Sequence, residues 1–320
     1  MSPGFARGRK KRGERSRVRV IEIDHYGPPE ALTLAEHPDL QPGPGTVRVR
    51  VHAAAVNPAD FKWRSGALDQ VVPLSFPAVL GYDIAGTVDA LGPGVTAPAV
   101  GTRVVGMLNH LDKGGYAERV LLPAEQAVPI PDALDFATAA ALPTAGLTGV
   151  QAVEDVVRPA PGETLLVTGA LGGVGRFAVH AALARGARVV AAVRAGQIAD
   201  ALALGASEAV VLDDVWTAGP IDHVVDTIGG DAVAALCRHV RPGGRIAYVG
   251  TTPIPPEGLA IPPVFVIVRH DPARLAALAR AAAVGDLTVP VTHRLPLADA
   301  AEAHRLVEAG GTNGKVVLLA

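Results

Sequence analysis

The stretch Leu166–Arg194, "LVTGALGGVGRFAVHAALARGARVVAAVR", packs four glycines into residues 169–175. Short β-branched residues precede them and a long Ala-rich run follows. A dinucleotide loop must turn tightly after a strand, let the backbone approach a pyrophosphate, and let a helix pack close to that strand. Small residues serve all three needs, and the helix N-terminus supplies N–H groups and the positive end of its dipole. Ala170-x-Gly172-x-x-Gly175 fits the fingerprint with alanine in the first slot. Gly173-x-Gly175-x-x-Ala178 fits one turn later. The first register is preferred because it leaves Gly173 to open the helix. No Gly-Lys-Ser/Thr follows, which disfavours a nucleoside-triphosphate loop. The next strand, "RVVAAVR", ends in Val193-Arg194 with no acid to bond a ribose hydroxyl. A guanidinium there suits the extra phosphate of NADPH.

Working outward, strands and helices alternate from "TLLVTG" through "RIAYVGTT" at βαβ spacing, which calls for a parallel, doubly wound sheet. Ahead of it, "DALDFATAAALPTAGLTGVQAVEDVV" reads as helical. From Val18 to about Leu122 the texture is different: short β-type runs broken by Pro and Gly, with "TVRVRV" alternating as a half-solvated antiparallel strand does. After Asp271 come a helix, a short strand near Val289, the helix "LADAAEAHRLVEAG" and a last strand "KVVLLA".

The 320 residues suffice for about two domains, and 49% hydrophobic content supports a large core. A net charge of −2 leaves no electrostatic footprint for nucleic acid. The single cysteine, Cys237, excludes internal disulfides and a cysteine-rich zinc lobe, and fits a cytoplasmic setting. Residues 1–17 are basic and lack an apolar run, so they read as a solvated, disordered tail. No stretch is apolar and long enough to span a membrane. No serine sits in a nucleophile elbow, and no His-Glu-x-x-His pattern occurs. A dinucleotide without a metal points to hydride transfer.

"AAAVNPADFKWRSG", "FPAVLGYDIAGTVDALGPGV", "GGYAERVLLPAEQAVPIPDALDFATAAALPTAGLTG", "TGALGGVGRFAVHAA" and "LADAAEAHRLVEAGGTNGKVVL" occur in that order. Together they resemble the zinc-independent, zeta-crystallin-like quinone oxidoreductases of the medium-chain dehydrogenase/reductase superfamily. The likeness runs from about Val18 to Ala320. It implies an α/β architecture in which a GroES-like β-barrel catalytic domain (18–130) is completed by residues 269–320, with a Rossmann NADPH-binding domain (131–268) between them. It also implies a homodimer. Zinc-dependent relatives place a cysteine where this chain has Asn57-Pro58, and Gly-His-Glu where it has Gly81-Tyr82-Asp83; no metal is expected.

The same resemblance assigns residues to a site. Asn57 is expected beside the nicotinamide or the substrate carbonyl. Trp63 and Tyr82 are expected either to wall the pocket or to sit in the core, with Tyr82 or solvent returning a proton. Asp60, Lys62 and Arg64 read as structural or rim charges. Thr148 should lie near the nicotinamide. Ala170, Gly172, Gly173, Val174 and Gly175 form the pyrophosphate turn, and Arg194 meets the extra phosphate. Asp226-Thr227 and Gly250-Thr251 should border the ribose. Phe265-Val266 should bond the carboxamide through the backbone, and Asn313-Gly314-Lys315 should return to the cofactor. The activity implied is NADPH-dependent reduction of a quinone or an α,β-unsaturated carbonyl. An enoyl thioester on coenzyme A or a carrier would use the same chemistry, and a non-catalytic NADPH-binding protein would keep the same motifs.

Overall fold

The computed structural model describes residues 17–71, 73–109, 114–214, 216–217, 219–250 and 252–320. The basic segment 1–16 and Thr251 lie outside them. The first strands are β1 (Arg17–Ile23), β2 (Thr33–Pro38) and β3 (Thr46–Val56), followed by helix α1 (Pro58–Ser65). Then come β4 (Ala78–Val79), β5 (Asp83–Leu91), β6 (Arg103–Met107), β7 (Arg119–Pro123) and β8 (Val128–Pro129). Helices α2 (Phe136–Ala140) and α3 (Pro143–Gln151) lead into the alternating region. The run 132–157 is therefore not one helix. Pro143 has no N–H to continue α2, and at the first position of α3 it costs nothing.

The alternating region is β9 (Thr164–Thr168), α4 (Gly175–Ala184), β10 (Arg188–Val193), α5 (Ile198–Ala203), β11 (Glu208–Val211), β12 (Ile221–Asp226), α6 (Gly230–Cys237), β13 (Val240–Tyr248) and β14 (Val264–Phe265). Its six strands lie in the order β11-β10-β9-β12-β13-β14, all parallel. Numbered from β9, that is the 3-2-1-4-5-6 order of a dinucleotide fold. β9 and β10 are wholly or nearly wholly buried, as strands covered on both faces must be.

The chain ends with α7 (Pro272–Val284), β15 (Val291–Pro296), α8 (Ala300–Ala309) and β16 (Lys315–Leu319). β16 pairs antiparallel with β3, Val316 opposite Val56, and β15 pairs with β16. The path β15-β16-β3-β5-β6-β8, with β7 on the other half of β3, thus joins the two ends of the chain in one sheet. In β3 the alternation of "TVRVRV" buries Val47, Val49 and Val51, and the "AAAV" end is buried on both faces. That end delivers Asn57 to the boundary between this sheet and the parallel one.

Candidate active site

Two cavities meet at the glycine turn. One, of about 390 Å³, runs past Gly169, Gly172 and Gly173 to Arg194, Gln197, Gly311, Thr312 and Asn313. The other, of about 460 Å³, is lined by Asn57, Lys62, Thr144, Thr148, Val249, Gly250 and Lys315, with Gly172 and Gly173 again in its wall. Gly172, Gly173, Thr227, Ile228, Thr312 and Gly314 belong to both, so the two form one cleft. It opens at the carboxyl ends of β9 and β12, where the strand order reverses; that is where a doubly wound sheet binds its ligand.

The turn fits a pyrophosphate. Gly169 has φ +60°, which an L side chain rarely adopts. A Cβ on Gly175 would stand 2.2 Å from the Gly169 carbonyl oxygen and 2.8 Å from the Ala170 Cα. Gly175 therefore lets α4 close onto the strand. A Cβ on Gly173 would meet only the Lys315 Cδ, at 3.6 Å; that face of the turn is open to the cleft. Two details differ from the reading of the motif. The helix opens at Gly175 rather than Gly173, and the tight turn is made by Gly169, while Ala170 is fully buried and lines neither cavity.

The floor of the second cavity is a polar cluster. Asn57 ends β3 and precedes α1, with Pro58 at the first helical position. Its backbone N–H donates to the Asp60 carboxylate at 2.8 Å, the return half of a capping box. Its Nδ2 donates to Asp83 Oδ2 at 2.9 Å, and its Oδ1 accepts from Lys315 Nζ at 2.5 Å. Asp83 Oδ1 accepts from both the N–H and the hydroxyl of Thr144, at the start of α3. Thr148 donates its hydroxyl to the Thr144 carbonyl one turn earlier. All three charged groups are buried. Burial raises the Asp83 carboxyl and lowers the Lys315 ammonium, each opposed by the other's charge. Burial pushes Asp60 up to about 7 despite the Asn57 N–H, with the neighbouring Asp83 charge adding to the rise.

The structure thus brings Asn57, Thr148, Gly172, Gly173, Val174, Thr227, Gly250, Gly314 and Lys315 to the second cavity, and Arg194 and Asn313 to the first. Several expected residues lie elsewhere. Tyr82 is fully buried, its hydroxyl beside the Trp63 indole, and burial pushes its pKa far above the phenol range. It is no proton donor to the cleft. Trp63 is likewise a core residue. Asp226 is fully buried beneath the crevice: it accepts from the Thr168 hydroxyl and from the N–H groups of Ile228 and Gly229. All three bonds fall on Oδ1, where they shape the turn after β12, and the residue lines neither cavity. Phe265 is half-exposed on the edge strand, and the Val266 N–H is taken by the Tyr248 carbonyl; neither residue lines the cleft. The sequence reading missed Thr144, Gln197 and Thr312 as cleft residues. Only the "PT" at the start of α3 signals one of them, as a helix N-terminus.

Family models match two parts of the chain: residues 43–132 match an alcohol dehydrogenase GroES-like domain, and residues 199–318 a zinc-binding dehydrogenase. A quinone oxidoreductase of Pseudomonas aeruginosa is 31% identical over 93% of this chain and 98% of its own length. The solved quinone oxidoreductase of Coxiella burnetii superposes with a TM-score of 0.88 at 28% identity, covering 95% of this chain and 100% of that one. A mycobacterial protein solved in complex with NADPH gives 0.81 at 29% identity, over 94% and 100% of the two chains. With its 3-2-1-4-5-6 parallel sheet, its GroES-like partner sheet and this set of relatives, the chain belongs to the quinone oxidoreductases of the medium-chain dehydrogenase/reductase superfamily.

Proposed function

We propose that this oxidoreductase reduces a quinone or an α,β-unsaturated carbonyl with NADPH. The continuous cleft carries the proposal. Its half along the glycine turn ends at Arg194, and its other half ends on the Asn57–Lys315 pair. NADPH, when bound, supplies a hydride. The chain's own residues do the rest. The Gly169–Gly175 turn and the start of α4 hold the pyrophosphate, and Arg194 meets the extra phosphate. Asn57 keeps one Nδ2 hydrogen beyond its bond to Asp83, and the Lys315 ammonium keeps two beyond its bond to Asn57. These donors face negative charge as it develops on the acceptor oxygen. The cleft holds the two reactants in register, and solvent returns the proton.

Zinc-free catalysis is part of the proposal. Where zinc relatives need a thiolate and an imidazole, Asn57 already accepts from an ammonium, which would repel a divalent cation, and Tyr82 is turned into the core. Among the described residues no group of three His, Cys, Asp or Glu side chains is placed to hold a metal. A homodimer is also proposed. The edge strand β14 offers an unpaired side, with Val264, Phe265 and Ile267 exposed along it.

Stopped-flow oxidation of NADPH and NADH against quinones, enones and enoyl thioesters tests the activity. Rapid turnover of a quinone or enone is expected, undiminished by chelators. Failure with every acceptor, or one tightly held zinc per chain, would overturn the reading.

A further inference from the structure

We propose that Tyr116 and His304 are positioning residues for the reduction. With Arg64 and Glu308 they form a line of polar groups that runs from the surface to the Asp60 carboxylate and, through it, holds Asn57 and its donors in place. The inference rests on the reductase reading above and adds to it the part of the molecule that sets up those donors.

The line starts on helix α8, where the partly exposed Glu308 accepts from Arg64 Nη2 at 3.0 Å on both carboxylate oxygens. Arg64 itself is buried; its Nε donates to the Gly27 carbonyl at 3.0 Å, and its Nη1 lies 3.4 Å from His304 Nδ1. His304 Nε2 lies 3.2 Å from the Tyr116 hydroxyl, and that hydroxyl faces the Asp60 carboxylate. Asp60 Oδ2 accepts from the Asn57 N–H at 2.8 Å, and the Asp60 N–H returns to the Asn57 carbonyl at 2.9 Å. His304, Tyr116 and Asp60 are fully buried.

The hydrogens along this line run in one direction. A guanidinium donates and has no acceptor, so the His304 nitrogen that faces Arg64 is the one without a hydrogen. Burial and the Arg64 charge keep the ring neutral, so Nε2 carries its hydrogen and donates to the Tyr116 oxygen. Burial keeps the Tyr116 hydroxyl protonated, and its hydrogen is left for Asp60. The hydroxyl is also fixed in place. The Tyr116 N–H donates to the Leu80 carbonyl at 2.9 Å, and its carbonyl accepts from Ile21 at 2.8 Å. Gly81 makes room for the ring: a Cβ there would stand 2.5 Å from Tyr116 Cδ1.

Position and charge are what the line delivers. Burial raises the Asp60 carboxyl, and the Asn57 N–H and the Tyr116 hydroxyl oppose the rise. An ionised Asp60 caps Asn57 and, with Asp83, favours the charged form of the buried Lys315. Both donors of the cleft thus depend on a carboxylate that lines neither cavity. The other titratable groups facing Asp60 are Asp83 on β5, which opposes its charge, Lys315 on β16, which favours it, and the Tyr82 hydroxyl.

The test is the pH dependence of single-turnover hydride transfer from NADPH to a quinone or enone, in the wild type, Tyr116→Phe, His304→Leu, His304→Gln and Asp60→Asn. The wild-type rate is expected to fall as pH drops through about 7, where Asp60 takes up its proton. Tyr116→Phe removes one oxygen and should move that limb upward by at least about half a pH unit, because the carboxylate loses a donor. His304→Leu should act in the same sense. His304→Gln keeps a donor for Tyr116 and should stay near the wild type. Asp60→Asn should flatten the limb, and NADPH affinity should change little in any variant. A merely structural role would lower the melting temperature and leave the limb where it is. A limb unmoved in Tyr116→Phe, or retained in Asp60→Asn, would overturn the proposal, and Tyr116→Phe decides alone if His304→Leu does not fold. If the wild type reduces no acceptor, the reductase reading fails by itself. The pH titration of the Asn57 amide signal, followed by NMR in NADP⁺-saturated protein, then shows whether Tyr116 acts on Asn57 through Asp60. A midpoint raised in Tyr116→Phe supports that action, and the same midpoint as in the wild type overturns it.

Discussion

Lys315 Nζ donates to Asn57 Oδ1 at 2.5 Å, joining residues 258 positions apart in the chain. The bond exists because β16 pairs with the end of β3, which places Val316 opposite Val56. Asn57 hands the interaction on to Asp83, and Asp83 to the N-terminus of α3. The floor of the cleft is thus one polar unit drawn from four elements.

Asn57→Ala would leave Asp83 and Lys315 buried with a partner missing. A stability loss of about 1–3 kcal/mol is expected, the usual cost of an unsatisfied buried polar group. Hydride transfer should slow at least about tenfold, or ~1.4 kcal/mol of barrier. Urea unfolding and single-turnover rates on the same variant check both. A lowered midpoint with a normal rate would assign Asn57 to structure alone.

The glycines of the turn should separate into two kinds. Gly175→Ala puts its Cβ against backbone atoms of residues 169 and 170, which cannot move aside without shifting the strand end. It should fold poorly or lose NADPH binding by more than tenfold. Gly173→Ala meets only a flexible lysine stem and should melt close to the wild type. Its methyl still lies in the cleft wall, so nucleotide affinity should fall. Melting curves and fluorescence titrations with NADPH report the two effects independently; equal melting temperatures for both variants would refute the distinction.

Arg194 lines the end of the first cavity with Gln197 and Asn313, which bond each other at 3.1 Å. Arg194→Ala should weaken NADPH binding by roughly 10- to 150-fold, the loss of a charged contact worth ~1.5–3 kcal/mol. NADH binding should change little. Wild-type protein that binds both nucleotides equally would remove the basis of the assignment.

Two buried groups should act on stability in opposite directions of pH. Asp60 titrates near 7 in the folded protein, chiefly through burial, against about 4 for a free aspartate. Its folded value is raised, so its contribution is full at low pH and is lost as pH rises towards 7. His304 is lowered to about 3 by burial and by the Arg64 charge beside it, against about 6.5 when unfolded. Its contribution is full above 6.5 and is lost as pH falls towards 3. Asp60→Asn should therefore shrink the stability loss between pH 5 and pH 8, and His304→Gln should shrink the loss between pH 6.5 and pH 4. Denaturation midpoints across that range, unchanged in slope by either variant, would contradict the assignment.

Much of this protein is local enough to be read from residue order. A strand, four small residues and an Ala-rich helix specify the nucleotide turn, because each requirement is met within one βαβ unit. The same holds for β3, whose alternation reports which side chains are buried, and for Pro58 and Pro143, which open helices wherever they stand. The cleft residues at the ends of strands, Thr227 and Gly250, follow from the parallel sheet alone.

The floor of the cleft was decided by tertiary structure. Successive strand residues point to opposite faces, so only one of Tyr82 and Asp83 could reach Asn57, and nothing in "GYD" says which. The pairing of β5 with β3 sets Asp83 opposite Ala55 and turns Tyr82 into the core. Asp226 ends its strand as a ribose ligand would, yet it is fully buried beneath the crevice, with the Thr168 hydroxyl across the sheet and the two N–H groups of the following turn all on its Oδ1. Lys315 meets Asn57 only because the last strand returns to the first large sheet. The sequence carries the periods and the turn residues, which act over a few positions. Which side chain of a pair faces the cleft depends on strand pairing between distant segments, and that is fixed only when the sheets close on one another.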